Sequence, residues 1–273
     1  MRIAVCVKQV PASSNVKVDE VTGVLIRSSS DTKMNPYDLY GIETALQLKE
    51  KVPNTEVIAL SMGPLSAEAT LYEALWMGCD EAYLLSDRKF AGADVLATAR
   101  ALSQALRVIG DLDLIICGKQ TTDGDTAQVG PEISEFLGYP LAPYVDAIIE
   151  VKEQSMVVRS NYESYYDIVE IDFPFVMTVE KDIFTPRLPS YKRKKALGQK
   201  KIHVLTLNDL PERDESLYGL SGSPTQVERI YSPEKKTQRD VIMGPVEDVT
   251  DQLLTVLLNR KFIKGDYHVE NKS

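Results

Sequence analysis

Residues 112–129 read LDLIICGKQTTDGDTAQV. Leu112–Cys117 is an apolar run interrupted only by Asp113, as expected of a short strand buried on both faces. Gly118-Lys119-Gln120 ends it, a polar loop follows, and a helix pattern opens near Thr126. In open parallel sheets, ligands sit beyond the carboxyl ends of strands at such junctions. Small residues and hydroxyls in the loop let backbone N–H groups approach a phosphate closely. A helix N-terminus adds free N–H groups and a partial positive charge. Asp123 and Asp125 would repel a phosphate if aimed at it, so they are read as capping backbone N–H groups or reaching ribose and amide groups. The loop is neither a Walker A sequence nor a G-x-G-x-x-G fingerprint. On these residues alone, an ordinary capped strand–helix turn fits equally well.

The same rhythm extends outward on both sides. Ile3–Val7, Val57–Met62 and Ala82–Leu85 read as buried strands. Pro36–Val52, Ser66–Met77, Asp94–Ile109 and Thr126–Leu137 read as helices, with Asn35 and Ser66 as N-caps and Pro36 at the first helical position. Strands alternating with helices predict an α/β fold, a mostly parallel sheet with helices on both faces. After about residue 140 the pattern turns β-rich, at Ala147–Val151, Met156–Tyr162 and Ile168–Val179. Lys181–Lys201 is polar and basic, punctuated by Pro186 and Pro189, and reads as an exposed loop or linker. Asn208–Thr237 reads as irregular and Val246–Leu258 as a helix. The expected organisation is a nucleotide-binding domain over residues 1–190 and an extended C-terminal arm over 191–273. A small helical cap on the same domain is the alternative for the arm.

Composition limits the function. The 273 residues are 44% hydrophobic and 26% charged, with a net charge of −9. That acidity argues against nucleic-acid binding. No apolar run reaches membrane-spanning length, and MRIAVCVKQVP is too short in apolar residues for a secretion signal. Cys6, Cys79 and Cys117 stand singly in apolar contexts, without metal-ligand or disulfide spacing. A cytoplasmic location is expected. His203 and His268 lie in polar contexts, and no nucleophile–base arrangement is evident.

Other strand ends carry related signals. Lys8-Gln9-Val10-Pro11 leaves the first strand and Met62-Gly63-Pro64 the second. Gly92-Ala93-Asp94-Val95 opens a helix with small residues, a second candidate phosphate seat. With VCVKQVP, KMNPYD, VIALSMGP, GADV and CGKQTTDGDTAQVGP in this order, the sequence resembles the beta (small) subunit of electron-transfer flavoproteins along nearly its whole length. The resemblance implies a Rossmann-like domain and an arm that wraps an alpha subunit carrying its own FAD. It places cofactor contacts at Cys6, Lys8, Asn35, Tyr37, Asp38 and Met62. Further contacts fall at Gly92, Asp94 and Val95. The remainder lie along the loop: Gly118, Lys119, Gln120, Thr122, Asp123, Gly124, Asp125, Thr126, Ala127, Gln128 and Val129. Cys6 and Met62 also read as plain core, and Lys8 as a solvated strand-end charge.

The family holds either a structural AMP or a second FAD at this position. The stretch from Thr122 to Val129, and VKQVP followed by Asn15-Val16-Lys17-Val18-Asp19, resemble the electron-bifurcating, FAD-binding subgroup. That implies NAD(H) as electron donor or acceptor, a flavin-dependent dehydrogenase partner, and ferredoxin or flavodoxin as low-potential carrier. The chain would then be an electron-transfer subunit rather than an enzyme alone. The segment Thr185–Lys195 resembles the loop that docks the dehydrogenase, with Arg187, Leu188 and Tyr191 as candidate contacts. It departs from the family pattern, because Tyr191 stands where many members have leucine. An ATP-binding sensor or adenylating module is the rival of another class; such proteins use a Gly-rich phosphate loop just after a strand, whereas this chain has Lys8-Gln9-Val10-Pro11 after Val7.

Overall fold

The computed structural model describes residues 1–12, 17–18, 25–26, 32–198, 202–228 and 241–263. Four apolar runs form adjacent parallel strands: β1 (Arg2–Cys6), β6 (Glu56–Met62), β7 (Glu81–Leu85) and β8 (Leu114–Gly118). β1 lies in the middle, paired with β6 on one side and β8 on the other. The segment between β1 and β6 carries β2 (Gln9–Pro11) paired with β5 (Thr32–Met34), and β3 (Lys17–Val18) paired with β4 (Leu25–Ile26). Asn15, Val16 and Asp19 lie outside the described residues.

Beyond β8 the chain builds β9 (Leu141–Val151), β10 (Ser155–Asn161) and β11 (Tyr166–Asp172), joined antiparallel, and then β12 (Phe175–Val179). β12 returns to the centre, parallel to both β8 and β9. β13 (His203–Leu205) pairs with β7 at the opposite edge. The nine-stranded order is β11-β10-β9-β12-β8-β1-β6-β7-β13.

Alternation along the strands sorts side chains between two cores, because successive residues face opposite sides. Ile3, Val5, Val57, Leu114 and Ile116 pack with Ile42, Leu46 and Leu48 of α1 (Pro36–Lys51) and with Leu71 and Leu75 of α2 (Glu68–Met77). Ala4, Ile58, Leu60 and Ile115 pack with Leu102 and Leu106 of α3 (Val95–Ile109) and Ile133 of α4 (Val129–Leu137). Helices therefore cover both faces, as the sequence predicts. Each fully buried aliphatic side chain contributes about 1.5–3 kcal/mol.

The division of the chain differs from the expected one. Residues 1–230 form one unit and 231–273 another, so the boundary lies some forty residues beyond 190. The reason is a set of spaced apolar residues in the polar stretch. Leu205, Leu207, Leu210 and Tyr218 are buried in the core on the α3 face, and β13 closes the sheet edge. Residues 181–198 are also tied down more than a linker would be, with α5 (Tyr191–Leu197) seated on α2 through Arg193, whose guanidinium donates to Leu75 O and Cys79 O. In the second unit, α6 (Val246–Asn259) contains no buried residue, and Val246 and Leu253 are exposed. Residues 199–201 and 229–240 and His268 lie outside the described residues.

Candidate functional site

The chain leaves β1 towards β6 and β7, then crosses back to place β8 on the other side of β1. This is the topological switch point, where a crevice opens beyond the carboxyl ends of the strands. Cys6 and Cys117 are register partners across it, both buried and free. The Cys117 thiol is pushed up, first by its hydrogen bond with Cys6 and then by burial, so it stays protonated.

The N-terminus of α1 packs directly on this edge. Pro36 fits the first helical turn, where its missing N–H costs nothing. Asn35 occupies the N-cap position but forms no side-chain cap. Its amide instead donates to Asp38 Oδ1 (2.9 Å) and Gln120 O (2.9 Å), and its Oδ1 accepts from the Thr122 N–H (3.3 Å). One buried amide thus ties the helix to the loop after β8. Asp38 Oδ2 accepts from the Lys8 N–H at 2.7 Å. Burial pushes the Asp38 carboxyl up to about 7, against the lowering effect of its hydrogen bonds from Asn35 and Lys8. Gly118 ends β8 where no side chain fits: a Cβ there would lie 2.5 Å from Asp38 Oδ1.

The loop itself is an open shelf. Thr122 to Thr126 are exposed, and Thr121 folds the turn by accepting from the Gly124 N–H (Oγ1, 3.3 Å) and the Asp125 N–H (backbone O, 3.1 Å). Asp125 and Ala127 adopt left-handed backbone angles, φ 50 and 56. Non-glycine residues there are uncommon and mark a constrained turn. The turn delays α4, which starts at Val129 rather than near Thr126, with Gln128 at an N-cap that forms no side-chain bond. Among the described residues, the N–H groups of Thr126, Ala127 and Gln128 have no hydrogen-bond partner.

The nearby cations are already engaged. Lys8 Nζ pairs with Asp123 at 2.8 Å, and Lys119 pairs with Glu180 beneath the Tyr144 ring. An anion here would therefore meet backbone donors and a helix N-terminus more than lysines, which is the chemistry of a nucleotide phosphate seat. Met62 lies at the end of β6, half-buried.

The second candidate seat is occupied by the chain itself. Asp94 caps α3 through the Ala97 N–H, and its other oxygen accepts from the Thr225 N–H and hydroxyl. The Asp94 N–H donates to Ser223 Oγ. These bonds outweigh partial burial and lower the Asp94 carboxyl. Gly92 has φ +74 and lies under Leu220, and Val95 is the first residue of α3. The turn from Leu217 to Thr225 therefore packs against the start of α3 at Asp94, while Gly92 stays exposed. A cleft of about 330 Å³ beside it is lined by Leu96, Arg100, Ser221 and Pro224. Cleft size does not select the site, because no strand end of the switch point lines this cleft.

The docking candidates divide. Leu188 and Tyr191 are 87% and 79% exposed, whereas Arg187 is turned inward onto Glu43 and Glu50. Thr121, Glu180, Ser223 and Thr225 were not singled out from sequence. Only Thr121, inside the loop, carried a local signal. Among the described residues no cluster suits a metal ion, and no helix is long and apolar enough to cross a membrane.

The fold and site define an α/β protein with a crevice at its topological switch point. The family described as "Electron transfer flavoprotein domain" matches residues 22–210. An electron transfer flavoprotein subunit beta of Thermoanaerobacterium thermosaccharolyticum is 41% identical over 96% of this chain and all of its own length. The caffeyl-CoA reductase-Etf complex subunit CarD of Acetobacterium woodii is 39% identical over the same shares. Protein FixA of Sinorhizobium fredii is 37% identical over 93% of both chains. The chain belongs to the electron transfer flavoprotein family, as a beta subunit, and its work is electron transfer.

Proposed function

We propose that this chain binds FAD at the β1/β8 switch point, exchanges electrons with NADH there, and hands them to an alpha subunit with its own FAD. The observation that carries the proposal is the shelf after β8, with free N–H groups at Thr126, Ala127 and Gln128 and an uncapped α4. The donor set fits a dinucleotide. These N–H groups would hold its phosphates, and Asn35 and Asp38 fix the shelf on which they stand. Asp125 and Asp123 lie along the same shelf, within reach of hydroxyl groups rather than phosphate. Cys6, Cys117 and Gly118 form an uncharged floor at the strand ends. FAD supplies the exchange of electron pairs with a nicotinamide and of single electrons with another flavin. The protein contributes position, desolvation and the Asp38 carboxyl, which can hold or release a proton near pH 7.

Electrons then leave, in this reading, to a flavin-dependent dehydrogenase and to ferredoxin or flavodoxin. CarD, as named, is a subunit of a reductase complex acting on a CoA thioester, and that supports a partner of this kind. Leu188 and Tyr191 are the docking contacts, since exposed apolar side chains among charges anchor small interfaces. Val246, Leu253 and their neighbours on α6 pack on the alpha subunit, because an apolar stripe of this kind is otherwise left in water.

The test is reconstitution of the purified chain, stripped of nucleotide, with FAD or AMP and then with its alpha subunit. Retention of FAD by this chain and its bleaching by NADH support the proposal. Exclusive retention of AMP would identify a structural nucleotide instead.

A further inference from the structure

The segment Pro186–Lys195 carries five basic residues, and charge patterning alone would count all of them as docking charges. The structure uses three of them internally. Arg187 Nε and its backbone N–H both donate to Glu43 Oε2, at 2.8 and 3.0 Å, and Nη2 donates to Glu43 Oε1 at 2.8 Å. Nη1 pairs with Glu50 at 2.8 Å. Glu43 sits in the middle of α1 with its side chain 3% exposed, and Gln47 Nε2 donates to its Oε1. Despite burial, these hydrogen bonds hold the Glu43 carboxyl below the usual range and push Arg187 up. Arg193 spans the C-terminal carbonyls of α2, and Lys194 lies 4.4 Å over the Trp76 ring. Ser190 adds a backbone bond to Trp76 O at 3.0 Å and caps α5 by accepting from the Arg193 N–H.

The segment is therefore clamped at both ends. Arg187 is fixed to α1, and Ser190, Arg193 and Lys194 are fixed to α2. Between and beside the clamps stand Leu188 and Tyr191, the most exposed apolar residues of the segment. Pro186 and Pro189 remove further backbone freedom. Such a segment loses little entropy when a partner binds, which is how preorganisation raises affinity. The charges facing outward without an ion pair among the described residues are Lys192 and Lys195.

We propose that the Glu43–Arg187 pair is a positioning device: it presents Leu188 and Tyr191 to an electron-accepting dehydrogenase and makes no contact with that partner. The proposal rests on the docking role assigned above to Leu188 and Tyr191. A bidentate pair of this kind depends on the planar guanidinium fork, which lysine lacks. If Arg187 served as a contact charge, Arg187→Lys would keep its function; as a fork on Glu43, it would not. α1 also carries Asn35–Asp38 at its start, so the same rigid helix fixes the docking segment relative to the nucleotide shelf.

The test uses the complete complex with its alpha subunit, driven by NADH, with the flavin-dependent dehydrogenase of the same source as acceptor and a small dye as control. Glu43→Ala and Arg187→Lys are each expected to raise the KM for the dehydrogenase by about tenfold, equivalent to one lost anchoring contact. The double variant should show no further rise, since both act through one pair. Flavin content, kcat and dye reduction should stay unchanged, and Glu43→Gln, which keeps one acceptor geometry, should fall between. Unchanged KM in Glu43→Ala and Arg187→Lys, with a raised KM in Leu188→Ala/Tyr191→Ala, would overturn the positioning role and leave the docking role standing. Unchanged KM in Leu188→Ala/Tyr191→Ala would remove the docking role, and this inference with it. Loss of flavin or dye activity in Arg187→Lys would show that the pair holds the fold and not the docking geometry.

Discussion

Gly118 and Asp38 stand so close that a Cβ on the glycine would come 2.5 Å from the carboxylate oxygen, and 2.8 Å from the backbone carbon of Tyr37. The last residue of β8 is thereby fixed against the first turn of α1, and the shelf proposed to hold a nucleotide begins at that contact. Backbone on one side and a buried carboxylate on the other leave little room to yield.

Gly118→Ala should therefore push the end of β8 away from α1. Overpacking of this kind costs about 1–3 kcal/mol. The expected result is a melting temperature lower by several degrees and a larger fractional loss of bound nucleotide, measured by thermal unfolding and by nucleotide released on denaturation. A variant with unchanged melting and full nucleotide content would show that the contact is looser than its geometry.

Asp38 gives the site a pH dependence of defined sign. Its folded value of about 7 lies above the unfolded value, because burial disfavours the charged form. The folded state then binds the additional proton between these values, so its contribution is full below about pH 4 and is lost as pH rises through about 7. Stability of the wild type relative to Asp38→Asn should fall from pH 5 to pH 8, by on the order of a few kcal/mol. Denaturant midpoints for both proteins across that range measure the difference, in which all other titrating groups cancel. A difference that is flat, or that rises with pH, would mean the carboxylate is already ionised at pH 5.

Much of this was legible in sequence, and what was not has identifiable causes. The four central strands lie within two residues of the apolar runs that announced them, because parallel strands buried on both faces leave an uninterrupted signal. Residues 168–179 read as one β-rich stretch but form two strands with different fates. Tyr166–Asp172 is an exposed edge, whereas Phe175–Val179 is buried beside β8. Which strand enters the centre depends on partners some sixty residues away. The start of α4 was misplaced because Asp125 and Ala127 take left-handed angles that their residue types do not announce. Arg187 looked like a docking charge because Glu43 lies 144 residues distant in sequence. The segment 191–230 looked like an arm because its apolar residues are sparse, yet Tyr218 and Leu210 are among the most buried side chains of the molecule.

That correction changes where the arm can be cut. Truncation after residue 200 removes β13, Leu205, Leu210 and Tyr218, and should destabilise the first unit. Truncation after Ile230 removes only the second unit. The shorter cut should leave the melting transition of this chain near its original value while weakening association with the alpha subunit. Calorimetry and analytical size exclusion separate the two effects. Tight association by the chain ending at Ile230 would remove α6 from the interface.

The central claim is that the shelf after β8 holds a flavin. It is tested most directly by acid extraction of the complex purified with its alpha subunit, with every nucleotide separated and counted. Two FAD per heterodimer and no AMP are expected, with one FAD lost in the Gly118→Ala variant. One FAD and one AMP per heterodimer would contradict it.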